Sequence, residues 1–184
     1  MTYDDIDKDI FASLGRHFQT ALTLPVFFEG QHMDGTPSID YIEARIEGPE
    51  IDEIAKGQYH ILVEVNLKIV RRKTDNLFTI RKDVGECAEA LRRGIPYVHE
   101  AADTTIAGPG VVYPYCDLAA GETYVDGSGT NTVLVIPTPD VQLGCLETQS
   151  LGGRRHKIET HHYGQLANKH TLVSTVATTL SILL

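Results

Sequence analysis

The densest group of chemically capable side chains is His156-Lys-Ile-Glu-Thr-His-His162. Imidazoles and a carboxylate are the usual ligands of zinc and other divalent ions, so His156, Glu159 and His161 raise the question of a small metal-dependent hydrolase. Spacing argues against it. His156, Ile158, Thr160 and His162 alternate as on a strand, which leaves His156 and His162 on one face but about 20 Å apart, too far for one ion. Glu159 and His161 share the opposite face and supply only two ligands. The segment is not HExxH. Only a symmetric ring that brings several copies of His156, Glu159, His161 and His162 together would gather a full ligand set.

Other candidates reduce to ordinary structure. Gly152-Gly153 before Arg154-Arg155 lacks the spacing of a phosphate loop and reads as a turn. Gly127-Ser-Gly129 is not GxSxG, so Ser128 reads as a hairpin residue. Cys87 and His99 can be drawn as a nucleophile and base, but Cys87 falls on the apolar face of a helix and no oxyanion donor accompanies it. The expectation is therefore a protein that is not an enzyme, with no catalytic residue, no metal ligand and no cofactor.

The elements that would position any site are clearer. Tyr59, Ile61, Val63, Val65, Leu67 and Ile69 alternate with His60, Glu64, Asn66 and Lys68, which predicts a long half-buried strand over 59–70. After the basic turn Arg71-Arg-Lys73, Leu77, Ile80, Val84, Cys87, Ala88 and Leu91 recur at steps of three and four, which predicts an amphipathic helix. Thr74 or Asp75 would cap it, and Gly94 and Pro96 end it. A first helix is expected over 4–22, with Ile6, Ile10, Leu14 and Phe18 in one stripe and Pro25 beyond its end. A short strand follows at Val26-Phe-Phe28 and another at 39–46, joined by a polar linker of about ten residues to the long strand as its antiparallel partner. Residues 95–98 begin a further strand.

From about 100 to 140, Gly108-Pro-Gly110, Pro114, Gly121, Gly127, Gly129, Pro137 and Pro139 break up short apolar runs. The runs so broken include Val111-Val-Tyr113 and Val133-Leu-Val-Ile136, and the segment reads as a loop-rich insertion with room for one hairpin. Val141, Leu143 and Cys145 alternate in a following strand, and the Thr-, Val- and Ile-rich run 171–184 favours a last one. Its apolar end, Ile182-Leu-Leu184, is expected to be tied into a sheet or pressed against a neighbouring subunit. The fold class expected is α+β: one domain over 1–184, with a mixed, mainly antiparallel β-sheet flanked by two α-helices.

Composition narrows the partners. With 16 Lys and Arg against 25 Asp and Glu, the chain carries a formal charge of −9. Wrapping nucleic acid needs clustered cations, which this balance disfavours. The three cysteines, Cys87, Cys116 and Cys145, include no CxxC. Cys87 and Cys145 are expected as buried free thiols, which suits a reducing compartment. The acidic N-terminus lacks the layout of a secretory signal, and no run reaches the ~20 apolar residues that span a bilayer. The expectation is a soluble protein made in the cytoplasm, with no membrane partner.

The segment Phe11-Ala-Ser-Leu-Gly-Arg-His-Phe-Gln-Thr-Ala-Leu-Thr-Leu-Pro-Val-Phe-Phe-Glu-Gly30, the strand Tyr59 to Arg71, and Asp75 to Gly94 leading into Ile95-Pro-Tyr-Val98 carry a resemblance. In order and pattern they resemble the tail terminator (tail completion) proteins of long-tailed bacteriophages, over roughly residues 4–98 and 141–184. The insertion is not matched. The resemblance implies a structural virion protein, a homo-oligomeric ring of six subunits in the tail or neck. Such a ring caps the tail tube protein, ends its polymerisation, and offers its other face to a head-side connector protein. Genome DNA would pass through the lumen without sequence-specific binding, and an acidic wall would repel its phosphates. Arg71, Arg72 and Lys73, the insertion, and Ile182, Leu183 and Leu184 are the contact surfaces to which this reading points. Another head–tail connector ring, of the neck or stopper kind, is the alternative, and the hydrolase built on His156, Glu159 and His161 is the outsider.

Overall fold

Alternating apolar residues build the centre of the molecule. The computed structural model describes residues 3–30, 39–72, 76–99, 109–112, 134–137, 141–148, 157–165 and 171–184. In it the long strand is β3 (Gln58–Arg71). Ile61, Val63, Val65, Leu67 and Ile69 are all buried, while Glu64, Asn66 and Lys68 are exposed on the other face, as period-two geometry requires. β2 (Tyr41–Ala55) and β9 (Leu172–Leu183) flank β3, both antiparallel to it. β1 (Val26–Phe28) adds parallel to β2, with Val26 opposite Ile42 and Phe28 opposite Ala44.

The far edge of β9 is shared. Its first half pairs with β8 (Glu159–Gln165), and its Leu180 and Ser181 pair with the end of β7 (Val141–Thr148). β4 (Ile95–His99) lies beyond β7. The result is a mixed, mostly antiparallel seven-stranded sheet in the order β1-β2-β3-β9-β7-β4, with β8 beside β9. Within the insertion, β5 (Pro109–Val112) and β6 (Leu134–Pro137) form a separate two-stranded antiparallel sheet, and Ser128 lies outside the described residues. The expected α+β class is the observed one.

Both helices cover the apolar face of the sheet. α1 (Tyr3–Ala21) buries Ile6, Ile10, Leu14 and Phe18 to 1% exposure or less, so the stripe at steps of four is the packed face. α2 (Leu77–Arg92) buries Ile80, Val84, Cys87, Ala90 and Leu91. Its N-cap is Asn76, whose side chain accepts from the Phe78 N–H at 2.9 Å, where Thr74 or Asp75 was expected. Leu77 and Ala88 were expected in the buried stripe; Leu77 is exposed and Ala88 only partly buried, because the buried face runs through Ile80, Asp83, Val84, Cys87, Ala90 and Leu91 and leaves both at its margin. Gly94 takes a φ of +81°, the left-handed turn that lets the chain leave α2 for β4.

Three further expectations change. The polar linker expected over 48–57 is strand: β2 continues to Ala55 and turns into β3 at Lys56-Gly57. Pro49 is tolerated because β1 covers only Ile42 to Ala44, so Pro49 lies on an edge strand where no N–H is needed. A register shift between Glu47 and Glu50 absorbs the Gly48-Pro49 step as a bulge. The second change is Cys145, which is disulfide-bonded and not a free thiol; spacing along the chain cannot show which sulfurs meet in space. Cys87 is free and buried as expected. The third is the start of the histidine strand: β8 begins at Glu159, and His156 lies outside the described residues.

Candidate functional site

The sequence pointed to two ends of the chain's central strands, and the structure gives them different roles. Arg71, the last residue of β3, is engaged within the subunit. Its Nε and Nη2 donate to the two carboxylate oxygens of Asp83 on α2, both at 2.7 Å, and its Nη1 donates to Asp40 at 2.9 Å. Asp83 is 5% exposed. The Asp83 hydrogen bonds hold the guanidinium more firmly protonated than usual, outweighing the opposing effect of burial. Arg72 donates its backbone N–H to Asp40 at 2.7 Å and stands over the Tyr41 ring at 5.6 Å. The two arginines therefore fasten β3 to the start of β2 and to α2. Lys73 lies outside the described residues.

The apolar C-terminus is tied into the sheet. Ile182 is buried opposite Ile61, and Leu184 exchanges two backbone hydrogen bonds with Tyr59, each at 2.9 Å. Leu184 packs against the core. Leu183, at 66% exposed, is the one of the three that faces outward.

The histidine segment divides as its alternation demanded. Glu159 pairs opposite Ala177 and His161 opposite Thr175, on the sheet face away from the helices. Lys157 bonds Glu159 and holds its carboxyl below the ordinary range, with His161 a smaller contributor at 3.8 Å. His162 points the other way, with Nδ1 2.9 Å from the Ser174 hydroxyl. Among the described residues no three His, Cys, Asp or Glu side chains converge as a metal site requires. The structure thus brings Glu159 and His161 together and separates His162 from them.

The helix-free face of the sheet is polar across four strands. Glu43, Arg45 and Glu47 of β2 stand opposite Lys68, Asn66 and Glu64 of β3. Thr175, Ala177 and Thr179 of β9 continue the row to His161 and Glu159 of β8. Lys68 pairs with Glu43 at 2.7 Å, and Arg45 bridges Glu47 at 2.8 Å and Glu29 at 3.2 Å. Short side chains along β9 leave a shallow depression of about 310 Å³, lined by Arg45, Glu64, Asn66, Lys157, Glu159 and Thr179. The depression carries both signs of charge and is open to water.

One polar set escaped the sequence reading. Asp9, Ser13 and His17 form a second stripe on α1, beside the apolar one, and all three are at most 2% exposed. Asp9 bonds His99 at 2.6 Å, Ser13 Oγ accepts from the Val98 N–H at 3.0 Å, and His17 bonds the Ala90 carbonyl at 3.1 Å. His99, drawn earlier with Cys87, thus has Asp9 as its partner. Burial, with Glu86 and Asp83 nearby, pushes the Cys87 thiol well above its ordinary range, which removes the thiolate a nucleophile needs. The signal was legible: Asp9, Ser13 and His17 recur at steps of four next to Ile6, Ile10, Leu14 and Phe18. Their role is to dock α1 on β4 and on the end of α2.

No protein-family model matches this chain, and no curated protein matches it.

Proposed function

We propose that the chain is a structural subunit of a phage tail, a tail terminator that forms a ring on the last turn of the tail tube, ends its polymerisation and joins it to the head-side connector. The observation that supports the reading is a broad open surface: a helix-free sheet face and an unpaired stretch of β2 edge among the described residues. One sheet face is sealed by helices. The other presents a broad charged surface, and β2 offers an edge from Arg45 to Ala55 with no strand partner among the described residues. Such edges are templates for association unless guarded, and here a bulge, Pro49 and a row of carboxylates confine what can approach. The sequence resemblance supplies the kind of assembly, and the acidic charge suits a lumen through which DNA slides without being held.

Light scattering on a size-exclusion column, followed by negative-stain imaging with and without tail tube protein, tests it. Rings of about six subunits, or rings that form only on tube ends, support the reading. A monomer indifferent to tube protein overturns it. A ring that binds a portal-side connector and ignores the tube moves the protein to the neck.

A further inference from the structure

Two surfaces of this subunit match each other and cannot meet within one chain. The first is the tip of the β2–β3 hairpin. Glu50 and Asp52 are exposed there and make no ion pair among the described residues. Ile54 is 61% exposed beside them, and Glu47, Glu50, Asp52 and Glu53 outnumber Lys56. The second is the outward face of α2. Phe78 is 83% exposed, with Leu77 at 55% next to it, and Arg81 and Lys82 follow at the i+3 and i+4 positions of the same face. Both cations are exposed and make no ion pair among the described residues.

Gly85 completes that face one further turn along. Glycine in a helix interior costs about 1 kcal/mol relative to alanine, yet a Cβ at Gly85 would meet nothing within 4 Å. Packing among the described residues does not call for a glycine there, and its bare backbone leaves room for a second chain to approach closely.

The hairpin turn at Lys56-Gly57 and the start of α2 lie beyond opposite ends of β3, a strand of 14 residues that spans about 45 Å at its ordinary rise. An apolar tip beside two carboxylates without ion pairs among the described residues, Glu50 and Asp52, therefore has its complement, an apolar pair beside two such cations, on the other end of the same molecule. Repeated between copies, such a contact is heterologous, the head-to-tail kind that closes rings. We propose that the acidic β2–β3 hairpin of one subunit docks on the Phe78–Arg81–Lys82–Gly85 face of α2 in a second copy of this chain. Ile54 covers Phe78, while Glu50 and Asp52 meet Arg81 and Lys82. The inference deepens the ring reading and rests on it for closure.

The test uses two charge-reversed full-length proteins, R81E/K82E and E50K/D52K. All four positions are exposed, so circular dichroism and melting should match wild type. Each variant alone should run at the monomer mass of 20.3 kDa, while their equimolar mixture recovers the assembly. In the mixture each reversed surface meets a complementary one. High salt should shift wild type toward smaller species. Wild type that assembles while both variants assemble equally well overturns this interface and leaves the ring reading standing. Wild type that stays monomeric, alone and with tube protein, overturns the ring reading and this interface with it. Variants that assemble normally but no longer bind tube protein overturn the second-copy partner and assign these surfaces to the tube.

Discussion

Arg71 and Asp83 form a bidentate pair, Nε to Oδ2 and Nη2 to Oδ1 both at 2.7 Å, across the junction of β3 and α2. The arginine side chain is 18% exposed and the aspartate 6%, so neither charge is well solvated and each depends on the other. The planar fork is what lets one guanidinium serve both carboxylate oxygens and still reach Asp40.

Removing one partner strands the other. Arg71→Ala is expected to lower the unfolding free energy by about 3–5 kcal/mol, the cost of an uncompensated buried charge. Arg71→Lys should recover only part of it, since an ammonium cannot bond both oxygens in parallel. Urea melts measure both. A loss under about 1 kcal/mol would mean that the pair behaves as a surface ion pair. It also follows that charge reversal at Arg71 unfolds the protein before it can report on assembly; Arg72→Glu is the cleaner probe.

At Gly48 the backbone has φ +104°, and a Cβ would stand 3.2 Å from both the Leu62 carbonyl oxygen and the Glu50 nitrogen. Those neighbours are backbone atoms of the bulge and cannot rotate away. Gly48→Ala is expected to destabilise by about 1–3 kcal/mol through strain. Gly57→Ala, at φ +78° with open space around it, should cost less. Thermal melts of the pair decide whether the bulge is as tight as its contacts imply.

Cys87 links packing to pH. Its thiol is pushed up by burial first, then by Glu86 and Asp83, and Tyr97 is pushed up by burial and by Asp9 and Asp5. A folded pKa above the unfolded one gives stability that is whole below the unfolded value and lost as pH rises past it. The window opens near pH ~8.5 for the thiol and ~10 for the phenol. Stability should therefore fall on the alkaline side, and Cys87→Ala should remove the earlier part of that slope. Denaturant melts from pH 7 to 10.5 give the slope. In native protein at pH 8, Cys87 should be inert to a disulfide reagent and react fully in urea.

The last three residues are unequal. Ile182→Ala empties a buried site against Ile61, and Gly144 packs closely on the Ile182 side chain. The expected loss is about 2–5 kcal/mol. Leu183→Ser, at an exposed position, should leave the melting temperature unchanged. Deleting residues 182–184 should cost at least as much as Ile182→Ala, because the two Tyr59–Leu184 hydrogen bonds go as well. Equal effects at Ile182 and Leu183 would contradict the alternation of β9.

The elements were legible wherever a period repeated. The alternation of 59–70 and the four-residue steps of Ile6, Ile10, Leu14 and Phe18 each name the buried face directly, because a single side-chain period leaves one arrangement that hides the apolar set. The same logic put Glu159 and His161 on one face and His162 on the other. It failed over 48–57, where Gly48-Pro49 reads as a break in any local window. Only the position of β2 at the sheet edge makes that proline harmless.

Sequence alone determined the two helices, the central strand, the α+β class and the separation of the histidines, all set by contacts between near neighbours in the chain. Tertiary structure decided the rest. It made Arg71 a partner of Asp83 and Asp40 instead of a free contact, paired Asp9 with His99 across 90 residues, took Cys145 into a disulfide, and set the acidic hairpin and the basic face of α2 at opposite ends of β3. Those facts depend on which distant segments the sheet order brings side by side, and no local pattern encodes that order.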